Sequence, residues 1–381
     1  MVRYGIDLAP GKPEIFRGKR LGLLTSVSGA NSQLESSISV LHEAFGLCAL
    51  FGPEHGVRGN RDAGMPVDSN QDAETGLPVF SLYRKESKRF TEEMLQGVDA
   101  VIYDIQDLGT RFYTFVTSLF YTLQDCANYK KELILLDRPN PLGGTIVEGN
   151  ILKEEYMSFV GGYPMPIRYG LTAGEFALMA NAEMKIGCRL TVLPVEGWKR
   201  QELFSDIGNL WMMPSLGIPR FDSALFYPGT CLIEGTNVSE GRGTSCPFEL
   251  IGAPYIHGER LAQAMNLKHL PGVIFTPAWF TPTASKHAGT ACGGVHLHLT
   301  NRSSYRAVET GVELLFTIRE MYEKEFAFLP PYKEETRPFI TLLAGCADFI
   351  SPDADKKKIL QGFIKDSEKF KTCSAKYHLY E

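Results

Sequence analysis

Carboxylates stand in polar clusters directly after three short apolar runs, at the strand ends where an α/β protein places its functional groups. The carboxylates are Glu54, Asp107 and Asp137. Their clusters read Gly52-Pro-Glu54-His55-Gly-Val-Arg58-Gly, Gln106-Asp107-Leu-Gly-Thr110-Arg111 and Asp137-Arg138-Pro-Asn140-Pro-Leu-Gly-Gly. If these clusters meet at one rim, carboxylates and arginines surround a cleft suited to acid and base chemistry on a polar or anionic substrate. Asp137 has an alternative interpretation as the capping residue of its Pro-Asn-Pro turn.

A fourth cluster lies farther along the chain and crowds glycines together with polar and charged residues. It reads Tyr227-Pro-Gly-Thr-Cys-Leu-Ile-Glu234-Gly-Thr-Asn237-Val-Ser-Glu240-Gly-Arg242-Gly-Thr244. One interpretation is a glycine-rich hairpin whose charges are solvated. The interpretation that we favour is a loop that folds back over the cleft and supplies hydrogen bonds to the ligand.

Several standard chemistries lack their sequence signatures. No G-x-G-x-x-G follows the first strand, and neither a G-x-x-x-x-G-K-[ST] phosphate loop nor a G-x-S-x-G serine elbow occurs. His296 and His298 share one face of a strand, as in some zinc hydrolases, but spacing identifies no further ligand. An ordinary polar strand face explains the two histidines. The sequence therefore predicts activity without a nicotinamide, a nucleotide or a metal.

The composition is that of a globular chain. Its 381 residues are 44% hydrophobic and 22% charged, which excludes a disordered or collagen-like protein. The net charge is −5 and no stretch combines Lys and Arg with aromatics, so we expect no nucleic-acid partner. No apolar run reaches the roughly 18 residues that cross a bilayer. The N-terminus lacks an apolar signal region, so we expect a cytoplasmic protein if the chain is complete and a periplasmic or secreted one if a leader was removed.

The elements that must position these clusters alternate along the first half of the chain. Helix-like periodic stretches separate short apolar runs, which lie at residues 20–24, 47–51, 79–82, 100–105, 133–136 and 190–193. Continuous Val, Ile and Leu runs indicate strands that are buried on both faces. We therefore predict an α/β fold with a Rossmann-like, doubly wound, mostly parallel sheet over residues 1–222. Thr172 and Glu175 form a capping box, which predicts the start of a helix.

The pattern changes in the second half of the chain. Gly-rich turns, an alternating strand at residues 294–300 and a helical period at residues 305–322 replace the regular alternation. We expect a smaller α+β domain over residues 223–381 that closes the cleft.

Taken together, the clusters resemble the signature blocks of a known family, the exo-acting β-N-acetylmuramidases, which are peptidoglycan glycoside hydrolases of the NamZ/YbbC type. The resemblance covers nearly the whole chain. It implies a Rossmann-like N-terminal domain, a smaller C-terminal domain and a site in the cleft between them. It also implies release of N-acetylmuramic acid (MurNAc) from the non-reducing end of peptidoglycan fragments such as a MurNAc-GlcNAc disaccharide.

The resemblance implies that the glutamate of the Pro-Glu-His-Gly block, Glu54 here, is catalytic. Glycoside cleavage through an oxocarbenium-like transition state needs an acid for the leaving oxygen and a second group that supports the anomeric centre. We expect Glu54 to be the general acid/base. The second group is Asp107, Asp104, Glu240 or the substrate's own 2-acetamido oxygen.

Recognition of MurNAc requires a fixed cation, because its lactyl ether carries a carboxylate that GlcNAc lacks. Candidate cations are Arg58, Arg111 and Arg242, since a guanidinium binds a carboxylate at two points; each taken singly could instead form a surface ion pair. Tyr113 could stack on a sugar face or pack in the core. The other candidate binding residues are His55, Asp104, Asp137, Asn140 and Asn237. The alternative function is a non-catalytic sugar- or nucleotide-binding module that uses the same cleft.

Overall fold

The structure is a computed structural model that describes residues 1–54, 56–58, 70–331 and 336–381. The predicted binding residue His55 lies outside the described residues. The strands are β1 Leu21–Thr25, β2 Leu47–Gly52, β3 Asn70–Gln71, β4 Pro78–Ser81, β5 Ala100–Asp104, β6 Glu132–Leu136, β7 Arg189–Leu193, β8 Leu250–Ala253, β9 Val273–Phe280 and β10 Cys292–Leu299. The α-helices are α1 Gly5–Leu8, α2 Ser37–Phe45, α3 Phe115–Asn128, α4 Ala173–Glu183, α5 Phe221–Thr230, α6 Gly258–Asn266, α7 Ala307–Met321, α8 Phe339–Ala344 and α9 Lys356–Ser374.

Among the described residues, the first half of the chain forms a seven-stranded sheet in the order β3-β4-β2-β1-β5-β6-β7. Neighbouring strands are parallel except for the short β3, which is antiparallel to β4. When the six parallel strands are numbered along the chain, their order in the sheet is 3-2-1-4-5-6, which is that of a Rossmann fold. The predicted fold class is confirmed.

Burial on both faces explains why the central strands are apolar along their whole length. Every residue of β1 and of β5 is buried. Val101 and Tyr103 of β5 pack into one hydrophobic core, whereas Ala100 and Ile102 pack into another. Since successive side chains of a strand point to opposite faces, the sheet separates two cores and its strand ends remain free to carry polar loops.

The sequence correctly predicts the start of α4. The Thr172 hydroxyl accepts a hydrogen bond from the Glu175 backbone N–H (3.1 Å), and the Glu175 carboxylate accepts one from the Thr172 N–H (3.0 Å). These two bonds satisfy donors that a helix start otherwise leaves unpaired. Throughout the part of the chain that the structure describes, no helix has the length and apolarity needed to cross a membrane.

The second half of the chain contains a three-stranded antiparallel sheet in the order β8-β10-β9. Strand β10 and helix α7 agree with the predicted strand and helix to within two residues at each end. The C-terminal tail returns to the first sheet, where the Tyr380 hydroxyl donates to Asp137 (2.5 Å) and the Leu379 N–H donates to Glu175 (2.9 Å). The tail therefore packs on the other half, and the division at residue 222 stays a prediction.

The fourth cluster begins as a helix, which both sequence interpretations missed. Residues 227–230 are the last residues of α5, and a 3-10 helix, Cys231–Gly235, follows directly. A Cβ atom at Gly229 would lie 1.9 Å from the carbonyl oxygen of Ala307 in α7. This glycine allows two helices to pack in direct contact, so the turn signal that it gives in the sequence is misleading.

Candidate active site

A cleft of about 740 Å³ is lined by both halves of the chain. The first half contributes Glu54, Tyr83, Phe112, Tyr113, Thr114, Phe159, Val160, Ser215, Leu216, Gly217 and Ile218. The second half contributes Tyr227, Glu234, Arg242, Gly243, Thr244, Pro247, Phe248, Ala284, Ser285 and Phe339. This volume is in the range of small-molecule sites, and the lining is mostly apolar with a few polar side chains, as such sites usually are.

Glu54 lies in the wall of this cleft, two residues beyond the end of β2. Its side chain is largely buried, and Oε2 accepts a hydrogen bond of 2.7 Å from the hydroxyl of Thr114, which directly precedes α3. The hydroxyl of Tyr83, two residues beyond β4, lies beside the same carboxyl. Burial, and then the neighbouring Glu54 carboxylate, raise the pKa of Tyr83, so this hydroxyl keeps its proton. The Thr114 hydroxyl thus orients the Glu54 carboxyl, and a second hydroxyl lies next to it.

Charged residues of the fourth cluster form a network on the other wall. Arg242 donates from Nε to Glu234 (2.6 Å) and lies 3.6 Å from Glu240, while Lys286 contacts Glu240 at 2.8 Å. The Glu234 carboxylate raises the pKa of Arg242 above its already high usual value. The guanidinium also lies over the Phe248 ring, 4.9 Å from its centroid. The network fixes a permanent cation in the lining of the cleft.

The other two candidate arginines, Arg58 and Arg111, bind groups of the protein outside the cleft lining. Arg58 forms a bidentate ion pair with Asp72, with both bonds at 3.0 Å, and contacts Glu74 at 3.1 Å. Arg111 is fully buried and donates at 2.8, 2.7 and 2.9 Å to the backbone carbonyls of Asn150, Met165 and Leu343. The last carbonyl belongs to α8, so Arg111 ties the two halves of the chain together. A role for either arginine in substrate binding stays a prediction.

Three further candidates form internal contacts where the central strands end. Asp104 makes a buried ion pair with Arg138 (2.6 Å). Asp137 accepts a hydrogen bond from the Gly174 N–H (2.8 Å) at the start of α4. The Asn140 amide donates to a backbone carbonyl at 2.9 Å. These contacts leave a crevice of only about 20 Å³ beside β1 and β5, where a Rossmann fold usually binds its ligand.

The remaining two candidate binding residues are Tyr113, in the cleft lining, and Asn237, a half-buried residue outside it. Tyr113 lines the cleft, with its ring perpendicular to that of Tyr227 and the ring centroids 5.8 Å apart. Asn237 donates to the Glu325 carbonyl (2.7 Å) and accepts from the Tyr255 hydroxyl (2.9 Å). Of the predicted site residues that the structure describes, the cleft lining contains Glu54, Tyr113 and Arg242.

Asp107, the first candidate for a second catalytic group, is enclosed outside the cleft lining. Its Oδ2 accepts hydrogen bonds from the Gly109 N–H (2.8 Å) and from the Tyr169 hydroxyl. Burial raises the pKa of Asp107 to about 6, although these hydrogen bonds act in the opposite direction. A catalytic role for Asp107 stays a prediction.

Replacement of Asp107 by asparagine is expected to change how stability depends on pH. In the folded chain the carboxyl has a pKa of about 6, whereas in an unfolded chain it has a pKa of about 3.9. The folded state therefore binds this proton more tightly, and its contribution to stability is lost as the pH rises from about 4 to about 6. At about 1.4 kcal/mol for each unit, the loss reaches about 3 kcal/mol.

Urea unfolding of both proteins at pH 4, 5, 6 and 7 tests this prediction. Because asparagine does not titrate, the free energy of unfolding of the variant should increase relative to that of the wild type by up to about 3 kcal/mol as the pH rises across that range. A difference that stays constant with pH would show that Asp107 does not carry a raised pKa.

Two family models match the chain in succession. The model described as exo-beta-N-acetylmuramidase NamZ, N-terminal, matches residues 21–222, and its C-terminal counterpart matches residues 225–380. The chain belongs to the exo-β-N-acetylmuramidase NamZ family. The predicted resemblance is confirmed, and both walls of the cleft lie within the NamZ matches.

Known relatives are similar to this NamZ-family chain over its whole length. The peptidoglycan beta-N-acetylmuramidase NamZ of Bacillus subtilis (strain 168) is 44% identical over 384 residues, which cover 100% of this chain and 91% of the relative. Two crystal structures of DUF1343 family proteins from Bacteroides fragilis NCTC 9343 have TM-scores of 0.91 and 0.78 at 34% and 30% identity. Each match covers 100% of this chain and 99% of the chain in the crystal structure.

The structure of this NamZ-family member adds four polar residues that the sequence did not single out. Tyr83 and Thr114 contact Glu54, whereas Glu234 and Lys286 belong to the charged network. Thr114 and Glu234 stand inside or beside the quoted blocks, and Tyr83 comes two residues after β4, but nothing in their residue types or spacing distinguished them from their neighbours. Nothing in the sequence around Lys286 signals its contact with Glu240.

Proposed function

We propose that this chain hydrolyses the glycosidic bond of a non-reducing-terminal MurNAc in peptidoglycan fragments, such as a MurNAc-GlcNAc disaccharide, with Glu54 as general acid/base. Membership of the NamZ family makes it a peptidoglycan glycosidase, as the sequence predicts. The observation that carries the assignment of Glu54 is its position: a largely buried carboxyl, hydrogen-bonded to the Thr114 hydroxyl and next to the Tyr83 hydroxyl, in the wall of a cleft of about 740 Å³.

Glu54 supplies the proton that the leaving sugar requires. As the glycosidic bond breaks, the departing oxygen gains negative charge and the sugar ring approaches an oxocarbenium ion. A carboxylic acid in the cleft wall transfers its proton to that oxygen, and the resulting carboxylate then takes a proton from the attacking water. The hydrogen bond from Thr114 reduces the number of carboxyl orientations, which lowers the entropic cost of the transfer, and the Tyr83 hydroxyl beside the carboxyl would act in the same direction.

Arg242 is the proposed site for the lactyl carboxylate of MurNAc. Among the described residues, the Arg242 guanidinium donates one hydrogen bond, from Nε to Glu234. Its two terminal NH2 groups are therefore available to a ligand. These groups form the planar pair of donors that a carboxylate accepts at two points. Glu234 therefore orients the guanidinium, and the two terminal NH2 groups of Arg242 lie in the lining of the cleft.

Turnover of a chromogenic MurNAc glycoside and of the MurNAc-GlcNAc disaccharide tests the proposed function. We expect the disaccharide to give MurNAc and GlcNAc in equal amounts. A longer glycan labelled at its non-reducing end should lose the label before any internal bond is cleaved. Binding without turnover would instead support the alternative of a non-catalytic sugar-binding module. Cleavage within long chains before release of terminal MurNAc would contradict the exo mode.

Removal of the Tyr83 hydroxyl is expected to lower kcat with little change in KM. Tyr83→Phe deletes the hydroxyl beside Glu54, which we propose to orient that carboxyl during the reaction, and keeps the aromatic ring that contacts Phe159, 5.7 Å away between centroids. A hydrogen bond to a charged group is worth about 1.5 to 3 kcal/mol, so the rate should fall about 10- to 100-fold.

Steady-state kinetics on the disaccharide measure this effect. Thr114→Val, which removes the other hydroxyl, serves as the matched variant and should act in the same direction. A rise in KM at constant kcat would show that Tyr83 binds the substrate rather than orienting Glu54.

A further inference from the structure

Three potential metal ligands meet outside the cleft lining, in the second half of the chain. The ligand atoms of Cys246, Glu249 and His296 lie within 4.8 Å of one another, and His296 Nε2 is 3.7 Å from Glu249 Oε2. A thiolate, a carboxylate and an imidazole are ligands that zinc accepts together, and atoms bound to one tetrahedral zinc ion lie roughly 3.3 to 3.8 Å apart, so the 3.7 Å pair already fits and any wider separation in the cluster would contract on binding. We propose that this cluster binds a divalent cation of the zinc type.

The local fold brings the three ligands together from distant positions. Cys246 and Glu249 stand at the ends of one turn, closed by a 3.2 Å hydrogen bond from the Glu249 N–H to the Cys246 carbonyl. A spacing of two intervening residues is also common between zinc ligands. His296 reaches the turn because, in the antiparallel pairing of β8 and β10, it is the partner of Leu250. The sequence offers His296 and His298 alone; the fold adds a thiol and a carboxylate.

Arg220 provides the positive charge at this cluster in the absence of a metal ion. Its Nη2 donates to Glu249 Oε2 (2.6 Å) and lies 3.5 Å from Cys246 Sγ, so it occupies the space between two of the ligand atoms. The side chain is 55% exposed and projects from the residue before α5, so it can move into solvent. Ser223 donates to the other Glu249 oxygen (2.5 Å) and would keep that carboxylate in place when the arginine leaves.

Metal binding would replace the guanidinium by a divalent ion. The Cys246 thiol gives up its proton to solvent as the sulfur–metal bond forms, so binding releases one proton for each metal ion. The ion would connect the turn to β10. Thr244, Pro247 and Phe248 from the same segment line the cleft, so the ion would also stabilise part of that wall. This inference does not depend on Glu54 or on the proposed reaction.

Titration of chelator-treated protein with Co²⁺ tests the proposal. Cobalt binds the same ligand types as zinc, and a cobalt–thiolate bond adds a charge-transfer absorption band. We expect one Co²⁺ per chain, a thiolate band and displacement by one Zn²⁺. Cys246→Ser should abolish the band, whereas Cys373→Ser, which removes an exposed thiol on α9, should leave it unchanged. His296→Asn should raise the Kd at least about 10-fold.

Arg220→Gln distinguishes a metal site from a simple ion-pair cluster. Removal of the competing guanidinium should lower the Kd for Co²⁺. The proposal is overturned if the wild type shows no thiolate band, if the band survives in Cys246→Ser, or if it disappears in Cys373→Ser. Weaker binding by Arg220→Gln would overturn the assignment of Arg220 to the metal position.

Discussion

Glu54→Gln is expected to slow hydrolysis of the MurNAc-GlcNAc disaccharide by about 10²- to 10⁴-fold, the range that general acid catalysis usually contributes. Glutamine keeps the shape of the side chain, and its amide oxygen still accepts the hydrogen bond from Thr114. It has no proton to give to the leaving oxygen. The thermal midpoint should therefore stay nearly constant while kcat falls, and calorimetry with steady-state kinetics measures both.

Substrates with different leaving groups distinguish a general acid role of Glu54 from the other roles that it could have. A nitrophenolate leaves without protonation, so a nitrophenyl MurNAc glycoside should recover part of the rate that Glu54→Gln loses on the disaccharide. Glu240→Gln is the matched change in the charged network around Arg242 and should show no such selective recovery, because it removes a contact to Lys286 rather than a proton donor. Near-normal turnover of the disaccharide by Glu54→Gln would place the chemistry elsewhere, and Glu240 would be the next residue to test.

The sequence predicts the sheet well because burial on both faces leaves a plain signature. Apolar runs at 100–105 and 133–136 coincide with β5 and β6 to within one residue at each end, and the parallel pairing of these strands follows from the helical stretch between them. The loops after these strands do meet at one edge of the sheet, as predicted. Which loops reach the ligand is a different question, because the position of a loop does not fix the direction of its side chains.

Arg111 and Asp137 illustrate that limit. Both stand in loops at the predicted edge, yet Arg111 donates to three buried carbonyls and Asp137 holds the start of α4 and the hydroxyl of Tyr380. The partners lie up to 243 residues away along the chain. A single sequence carries no signal for such distant contacts, so polar residues that stabilise the interior look the same as polar residues that bind substrate.

The hydroxyls around Glu54 were missed for a related reason. Tyr83 and Thr114 are of types that occur throughout the sequence, and neither belongs to a spacing rule for acid and base catalysis. Their importance comes from the pairing of β2 with β4 and from the start of α3, which bring both hydroxyls to one carboxyl. By contrast, Arg242 stands among unusual glycine and charged residues, and there the sequence signal and the cleft agree.

Arg242→Gln is expected to reduce the preference for MurNAc over GlcNAc glycosides by about 10- to 100-fold, because one charge-assisted contact is worth about 1.5 to 3 kcal/mol. The measured quantity is the ratio of kcat/KM for the two glycosides. The ratio does not depend on how much of the enzyme is folded, which matters because the substitution also leaves Glu234 and Glu240 with less compensating charge.

Two matched variants make the assignment of Arg242 decisive. Arg242→Lys keeps the charge but offers one point of contact instead of two, so its ratio should lie between those of the wild type and Arg242→Gln. Arg58→Gln should leave the ratio unchanged, since Asp72 already occupies the Nε and Nη2 edge of that guanidinium. A ratio that falls in Arg58→Gln and not in Arg242→Gln would move the lactyl site to Arg58. Equal rates on the two glycosides in the wild type would show that no arginine of this cleft recognises the lactyl group.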